Sequence, residues 1–229
     1  RDFVVDYQTS AALCMVHLSR LAEDLVLWSS QEFGLISLDQ RFVTGSSIMP
    51  QKHNPDFAEL GRAKTGRVIG NLMGILTVLK GIPLTYSRDL QEDKEGLFDT
   101  VDTLLPTLEV FAGMVATLQV NKDQARQLVS GGQMLATDLA DYLVNKGVPF
   151  REAHGVVSRL CQYATEQSMG FDQISLEEYR RFSSWFDEDV FKITVESSVA
   201  ARDVPGGTSP RQVQAALAET IGQVAILSD

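Results

Sequence analysis

The run Thr44-Gly45-Ser46-Ser47-Ile48-Met49-Pro50-Gln51-Lys52-His53-Asn54-Pro55 gathers hydroxyls, a glycine, two prolines, an ammonium and amides into one short stretch. Serine is a weak base in water. It becomes an effective one only where N–H groups and a nearby cation stabilise its alkoxide. Gly45 leaves the backbone free to turn N–H groups toward an anion, Lys52 supplies the cation, and Asn54 adds an amide. Such a set suits removal of a proton beside a carboxylate, which needs a base at the C–H and donors around the developing charge. On residue type alone, Ser46 and Ser47 could equally be turn hydroxyls, and Lys52 a solvated surface charge. His53 is an obvious acid/base candidate by chemistry, whereas His17 and His154 sit in helical patterns and read as structural.

The elements on either side must hold this run in place. Pro50 and Pro55 lack donors and fix their own φ, and each pushes its predecessor, Met49 or Asn54, toward extended geometry. The run is therefore a loop between rigid elements, where reactive groups tend to sit. Upstream, Leu13, Val16, Leu21, Leu25 and Trp28 recur at helical spacing, predicting an amphipathic helix from Asp6 to Phe33 with Gly34 as its stop. Downstream, a helix is predicted from Asp56 to Lys80. Its Gly66, Gly70 and Gly74 share one face and suggest close approach of another backbone.

A polar connector, residues 84–95, leads to a third long helix with the stripe Leu97, Val101, Leu104, Leu108, Val115 and Leu118, which Pro106 should bend or break. Three such helices carry more apolar face than one chain can cover, so self-association is expected. After Asn121 the predicted helices shorten: Lys122–Val129, Met134–Asn145, Arg151–Ser168, Leu176–Phe182 and Arg211–Ile226. Gly131-Gly132, Gly147-Val148-Pro149 and Gly170 punctuate them. Ser175 and Glu178 fit a capping box, and Ser209-Pro210 an N-cap and first helical position. No convincing strand is found. The fold class is all-α: residues 1–120 form a long-helix bundle segment, and residues 121–229 a smaller helical C-terminal domain.

Bulk properties narrow the function. Hydrophobic residues make up 44% and charged residues 22%, as in ordinary globular chains. A formal net charge of -10 argues against nucleic acid as the main partner. Charges interrupt every long apolar stretch, and neither a membrane span nor a signal peptide is expected. Cys14 and Cys161 match no metal-ligand spacing and read as buried reduced thiols of a cytoplasmic protein. The chain opens on Arg1 in a helix lead-in, which suggests a fragment of a longer polypeptide.

The order G-S-S-x-M-P-x-K-x-N-P resembles the signature of the fumarase/aspartase superfamily, whose members release fumarate by splitting C–N or C–O bonds. The resemblance assigns proton abstraction to Ser46 and makes Ser47 a neighbouring hydrogen bonder. Lys52 and Asn54 then hold the substrate carboxylate and its aci-carboxylate intermediate, and His53 falls on a variable position. Leu79-Lys80-Gly81-Ile82-Pro83, Tyr86 and Asp89-Leu90-Gln91-Glu92-Asp93-Lys94-Glu95 are similar to the argininosuccinate lyase/delta crystallin family in particular. That family places the residues matching Tyr86, Gln91 and Lys94 at the substrate. Met134 to Ala140, Lys146 to His154 and Gly206-Gly207-Thr208 match its C-terminal domain, so the resemblance covers essentially the whole chain.

The resemblance implies cleavage of argininosuccinate to L-arginine and fumarate by anti β-elimination, with no cofactor and no metal. It also implies active sites pooled from several subunits of a homotetramer, with the long helices in its central bundle. The residues that the family's N-terminal half supplies are not found here, so the parent protein is expected to be active and this piece alone inactive. The alternatives are another fumarate-releasing lyase of the superfamily and a non-catalytic, crystallin-like structural protein.

Overall fold

The computed structural model describes residues 1–45, 48–49, 53–130 and 133–228. Contacts divide the chain into two units, Arg1–Gln124 and Ala125–Asp229. The first is built on three long helices: α1 (Asp2–Ser29), α2 (Asp56–Leu79) and α3 (Asp93–Thr117). Gly34, at φ 58°, turns the chain after α1 as a glycine can and most residues cannot. The all-α expectation holds apart from four two-residue strands among the described residues, which the sequence did not suggest. β1 (Ile36–Ser37) pairs antiparallel with β4 (Gln119–Val120). β2 (Thr44–Gly45) pairs antiparallel with β3 (His53–Asn54). Such short pairings carry no alternating pattern to detect.

The buried face of the bundle is not the stripe of largest side chains. On α3 the buried residues are Asp93, Thr100, Thr103, Leu104, Thr107, Phe111 and Met114, while Leu108 and Val115 of the predicted stripe are exposed. On α1, Val4, Gln8, Ala11, Ala12, Met15, Ala22 and Leu25 are buried, whereas Leu13, Val16 and Trp28 face outward. Small residues let the helix axes come close. Thr107 Oγ1 donates to the carbonyl of Thr103 at 2.6 Å and Thr100 Oγ1 to that of Gly96 at 2.7 Å, while Thr100 Oγ1 also accepts from Asn71 Nδ2 of α2 at 3.1 Å. Thr65 Oγ1, on α2, donates to the carbonyl of Met15 at 3.0 Å and ties α2 to α1.

Pro106 does not break α3, which runs on to Thr117. The anticipated backbone approach at Gly66, Gly70 and Gly74 is not made within the chain, since nothing lies within 4 Å of a Cβ placed on any of them. Close approach occurs instead at Gly61, against the ring of Phe111, and at Gly113, against Phe42.

The second unit holds α5 (Ala136–Asn145), α6 (Phe150–Glu166), α7 (Leu176–Phe182), α8 (Val195–Ala201) and α9 (Pro210–Ser228), with α4 (Lys122–Ser130) crossing the division. One cluster forms its core, including Leu139, Leu143, Val157, Leu160, Ile174 and Phe186. The rings of Tyr142 and Phe186 stack at 5.8 Å. The capping box forms as expected: the Ser175 N–H donates to Glu178 Oε2 at 2.9 Å and the Glu178 N–H to Ser175 Oγ at 3.3 Å. The Ser175 hydroxyl and the Tyr163 phenol, both donating to Glu178, hold its carboxyl down at about 2. Ser209 caps α9, which begins at Pro210. The predicted loop glycines Gly131 and Gly132 lie outside the described residues. The short α8 was not expected. Thr194 caps it by accepting from the Ser197 N–H at 3.1 Å.

Candidate active site

The β2–β3 ladder clamps the two ends of the reactive run. Thr44 stands opposite Asn54 and Gly45 opposite His53. The Thr44 hydroxyl also bonds the carboxylate of Asp56 in the first turn of α2, so the ladder and the helix start are locked together. Just upstream, Phe42 packs edge-on against Phe57 with centroids 6.1 Å apart and seats on Gly113 of α3. A Cβ at Gly113 would fall 2.6 Å from Phe42 Cζ, closer than packed carbons tolerate, so any other residue there would push the Phe42 ring out of its seat. Ser46, Ser47 and Lys52 lie outside the described residues. Asn54 is half-buried beside them in sequence, His53 is exposed, and Ile48 and Met49 are exposed.

Tyr86, Gln91 and Lys94 form a second group. Gln91 Nε2 donates to the Tyr86 phenol oxygen at 2.8 Å. Tyr86 is 66% exposed, so this pair faces outward with its remaining capacity open. Lys94 Nζ lies 3.0 Å from Asp93 Oδ1, and Asp93, only 4% exposed, also pairs with Arg1. The Ser87 hydroxyl bonds the carboxylate of Asp89 and lowers the affinity of that carboxyl for its proton, which steadies the 3-10 turn Arg88–Glu92. Thr85 enters this turn at φ 80°. That conformation is rare for a β-branched residue and costs on the order of 1–3 kcal/mol, a kind of strain that gathers at functional segments. Nothing in the sequence around Thr85 signals it.

Asn54 and the second group are far apart in one chain. They sit at opposite ends of α2, whose 24 residues span about 36 Å at 1.5 Å per residue. No substrate of metabolite size bridges that gap. Among the described residues no cluster of His, Cys, Asp or Glu is suited to hold a metal ion, and no helix is long and apolar enough to cross a membrane. Cys14 and Cys161 are both free and half-buried, and burial pushes the Cys161 thiol up.

Known proteins place this geometry. The family described as argininosuccinate lyase C-terminal matches residues 133–200, and the lyase family matches residues 1–70. The chain is 54% identical over 218 residues to an argininosuccinate lyase of Dehalococcoides mccartyi, covering 95% of this chain and 47% of that protein. It is 51% identical over 228 residues to one of Alkalilimnicola ehrlichii, covering 99% of this chain and 49% of the other. Among solved structures, a variant of EDDS lyase with bound fumarate superposes with a TM-score of 0.88 at 29% identity, over 98% of this chain and 47% of that one. A class II fumarase from Schistosoma mansoni shares the fold, with a TM-score of 0.71 at 22% identity over 85% of this chain and 39% of that one. The chain thus spans about half the length of the curated relatives it matches. Its order of elements, its reactive run and its relatives lead to one conclusion: the chain belongs to the argininosuccinate lyase family.

Proposed function

We propose that the protein carrying this chain cleaves argininosuccinate to L-arginine and fumarate by anti β-elimination. The observation that carries this reading is the 54% identity to an argininosuccinate lyase across 95% of the chain. Ser46 takes the proton from the carbon beside the carboxylate. Lys52 and Asn54 stabilise the charge that builds on that carboxylate, and Ser47 adds a hydrogen bond. Electrons from the broken C–H bond form the fumarate double bond, and the guanidinium nitrogen leaves as its C–N bond breaks. A proton donor outside this chain completes the departure. Tyr86, Gln91 and Lys94 bind the remainder of the substrate with a phenol, an amide and an ammonium. No cofactor or metal takes part.

The length of α2 supports a composite site. The group at the start of one copy's α2 would meet the group at the end of another's, in a homotetramer whose long helices form a shared bundle. Phe98, Leu105, Leu108 and Val115 form an exposed apolar row on α3 at near-heptad spacing, as such a bundle needs. The bundle segment, residues 1–120, would carry the chemistry, while residues 121–229 form a separate helical domain. The reaction would run in the cytoplasm. Activity needs residues of the whole protein beyond this chain.

The test is fumarate absorbance with the full-length protein on argininosuccinate, malate, aspartate and adenylosuccinate. Turnover of argininosuccinate alone is expected, with Ser46→Ala lowering kcat by about 10²–10⁴-fold. Undiminished turnover in that variant would remove Ser46 from the mechanism. Preference for another of these substrates would move the protein to a sister activity. Turnover by the 229-residue chain alone would refute the need for further residues.

A further inference from the structure

We propose that Phe42 and Gly113 are positioning residues for the elimination: the Phe42 ring, seated on the bare backbone of Gly113, sets where the β2–β3 ladder presents the reactive run to the substrate. The inference rests on the reading that the run takes the proton, and it adds to that reading two residues with no contact to substrate.

Phe42 ends the 3-10 turn Gln40–Phe42, and only Val43 separates it from Thr44 of β2. The turn is braced from within. Asp39 accepts from the Arg41 N–H at 2.9 Å and from Arg41 Nε and Nη2 at 3.0 Å each. The Arg41 guanidinium lies over the Phe42 ring, 5.7 Å from its centroid. The ring also packs against a cluster drawn from all three long helices: Ala22 and Leu25 of α1, Ala58 of α2, Phe111 and Met114 of α3. Its edge-on partner, Phe57, follows Asp56 in the first turn of α2. One ring therefore refers both ends of the run to the same core, the upstream end through Val43 and the downstream end through Phe57.

Glycine at 113 makes the seat deep. A Cβ there would meet Phe42 Cζ at 2.6 Å, Cε1 at 3.2 Å and Cε2 at 3.5 Å, so the clash falls across the tip of the ring. Turning the ring about its own axis leaves Cζ where it is, so the whole side chain must withdraw. That withdrawal passes through Val43 to Thr44, which stands opposite Asn54 and bonds Asp56. A misplacement of about 1 Å at a reacting group can cost about 10²-fold in rate. Binding should be spared. Along α3, Gly113 lies about 30 Å from Lys94 at 1.5 Å per residue, too far to disturb the phenol, amide and ammonium assigned to the rest of the substrate. A fall in kcat at constant KM is thus the signature of the seat, whereas general loosening of the bundle has no reason to separate the two.

The test uses the full-length protein, with circular dichroism reporting that each variant folds. Turnover of argininosuccinate by the parent judges the lyase reading first, and the variants then judge the seat. Gly113→Ala is expected to lower kcat by about tenfold or more, with KM within about threefold of the parent's. Phe42→Leu has no atom where Cζ stood and leaves a gap, so alone it should lower kcat by about threefold. Added to Gly113→Ala, it should raise kcat by about threefold over Gly113→Ala alone, since the two changes share one contact. Leu104→Ala is the control for loosening: it opens a cavity in the bundle's other cluster and should leave kcat within about twofold of the parent's, because the ladder stays in place. Four results would overturn the proposal: kcat of folded Gly113→Ala within about twofold of the parent's, a raised KM in that variant without a fall in kcat, an equal loss of kcat in Leu104→Ala, or a double variant no better than Gly113→Ala. If Gly113→Ala does not fold, Phe42→Leu decides, and an unchanged kcat there overturns the seat. A parent that turns over a different one of the four substrates corrects the lyase reading, and the same ratios then judge the seat on that substrate. A parent inert toward all four overturns the reading and the seat with it.

Discussion

The two units solve burial in opposite ways. The second gathers its large side chains inward, so that Leu143, Leu160 and Phe186 are fully buried in one continuous cluster. The first splits its core between two smaller clusters, around Leu25 and Phe111 and around Met15 and Val68, and leaves Leu13, Leu60, Met73, Phe98 and Leu105 in solvent. A unit of the second kind is stabilised mainly by its own packing. The first buries many small residues beside a few large ones and leaves several large apolar side chains exposed, a surface larger than a self-sufficient unit usually shows. The candidate chemistry lies in this first unit, at both ends of a helix too long to let them meet.

The sharpest way to break this contrast is Phe186→Ala. It removes a fully buried ring stacked on Tyr142 and should destabilise the second unit by about 3–5 kcal/mol, read from the denaturant midpoint of that unit. A cost under about 1 kcal/mol would mean that the core there is not close-packed. A second measurement concerns the composite site. Full-length Ser46→Ala and Gln91→Ala proteins, each impaired, should recover a fraction of the lost turnover when dissociated and reassembled together. No recovery in mixed assemblies would place both groups in one copy's site.

A smaller effect is expected from Ser175→Ala, which deletes the cap of α7 and should cost about 1 kcal/mol. Glu178 shares that cap. Its folded value of about 2 lies below the 4.5 of an ordinary glutamate. The unfolded state therefore takes up its proton first on acidification. The stabilisation is complete above about 4.5, falls away as pH drops toward about 2, and should vanish from the acid limb of the stability curve in Glu178→Gln. An unchanged acid limb would mean that the cap does not hold this carboxylate. The smallest effect belongs to Leu105→Ser. It should leave the dilute chain's stability within about 0.5 kcal/mol of the parent while weakening self-association in light scattering.

Much of this was legible in the residues. Two helix starts followed from local chemistry, the Ser175–Glu178 pair and Pro210 in the first turn of α9, whereas α1 runs Asp2–Ser29 and stops short of the expected end at Phe33, with Gly34 turning the chain beyond it. Which face each long helix buries was not legible. Pattern reading ranks Leu108 and Val115 above Thr103 and Thr107 because it scores side chains one by one, without knowing which neighbour each face meets. The β2–β3 ladder escaped because two paired residues have no periodicity. The strain at Thr85 escaped because only tertiary structure imposes it. The family was the most legible part, since proline, glycine, serine, lysine and asparagine in a fixed order have few other reasons to occur together. The separation of Asn54 from Tyr86, Gln91 and Lys94 needed only the length of α2, yet its meaning emerged once both ends were placed.

That helix also acts as a phase setter. Each residue added to or removed from α2 would swing the hairpin about 100° around the axis relative to the connector and shift it by 1.5 Å. Seven residues make nearly two whole turns and leave an offset of only about 20°. Insertions or deletions between Asp56 and Leu79 should therefore be tolerated best in blocks that restore this phase.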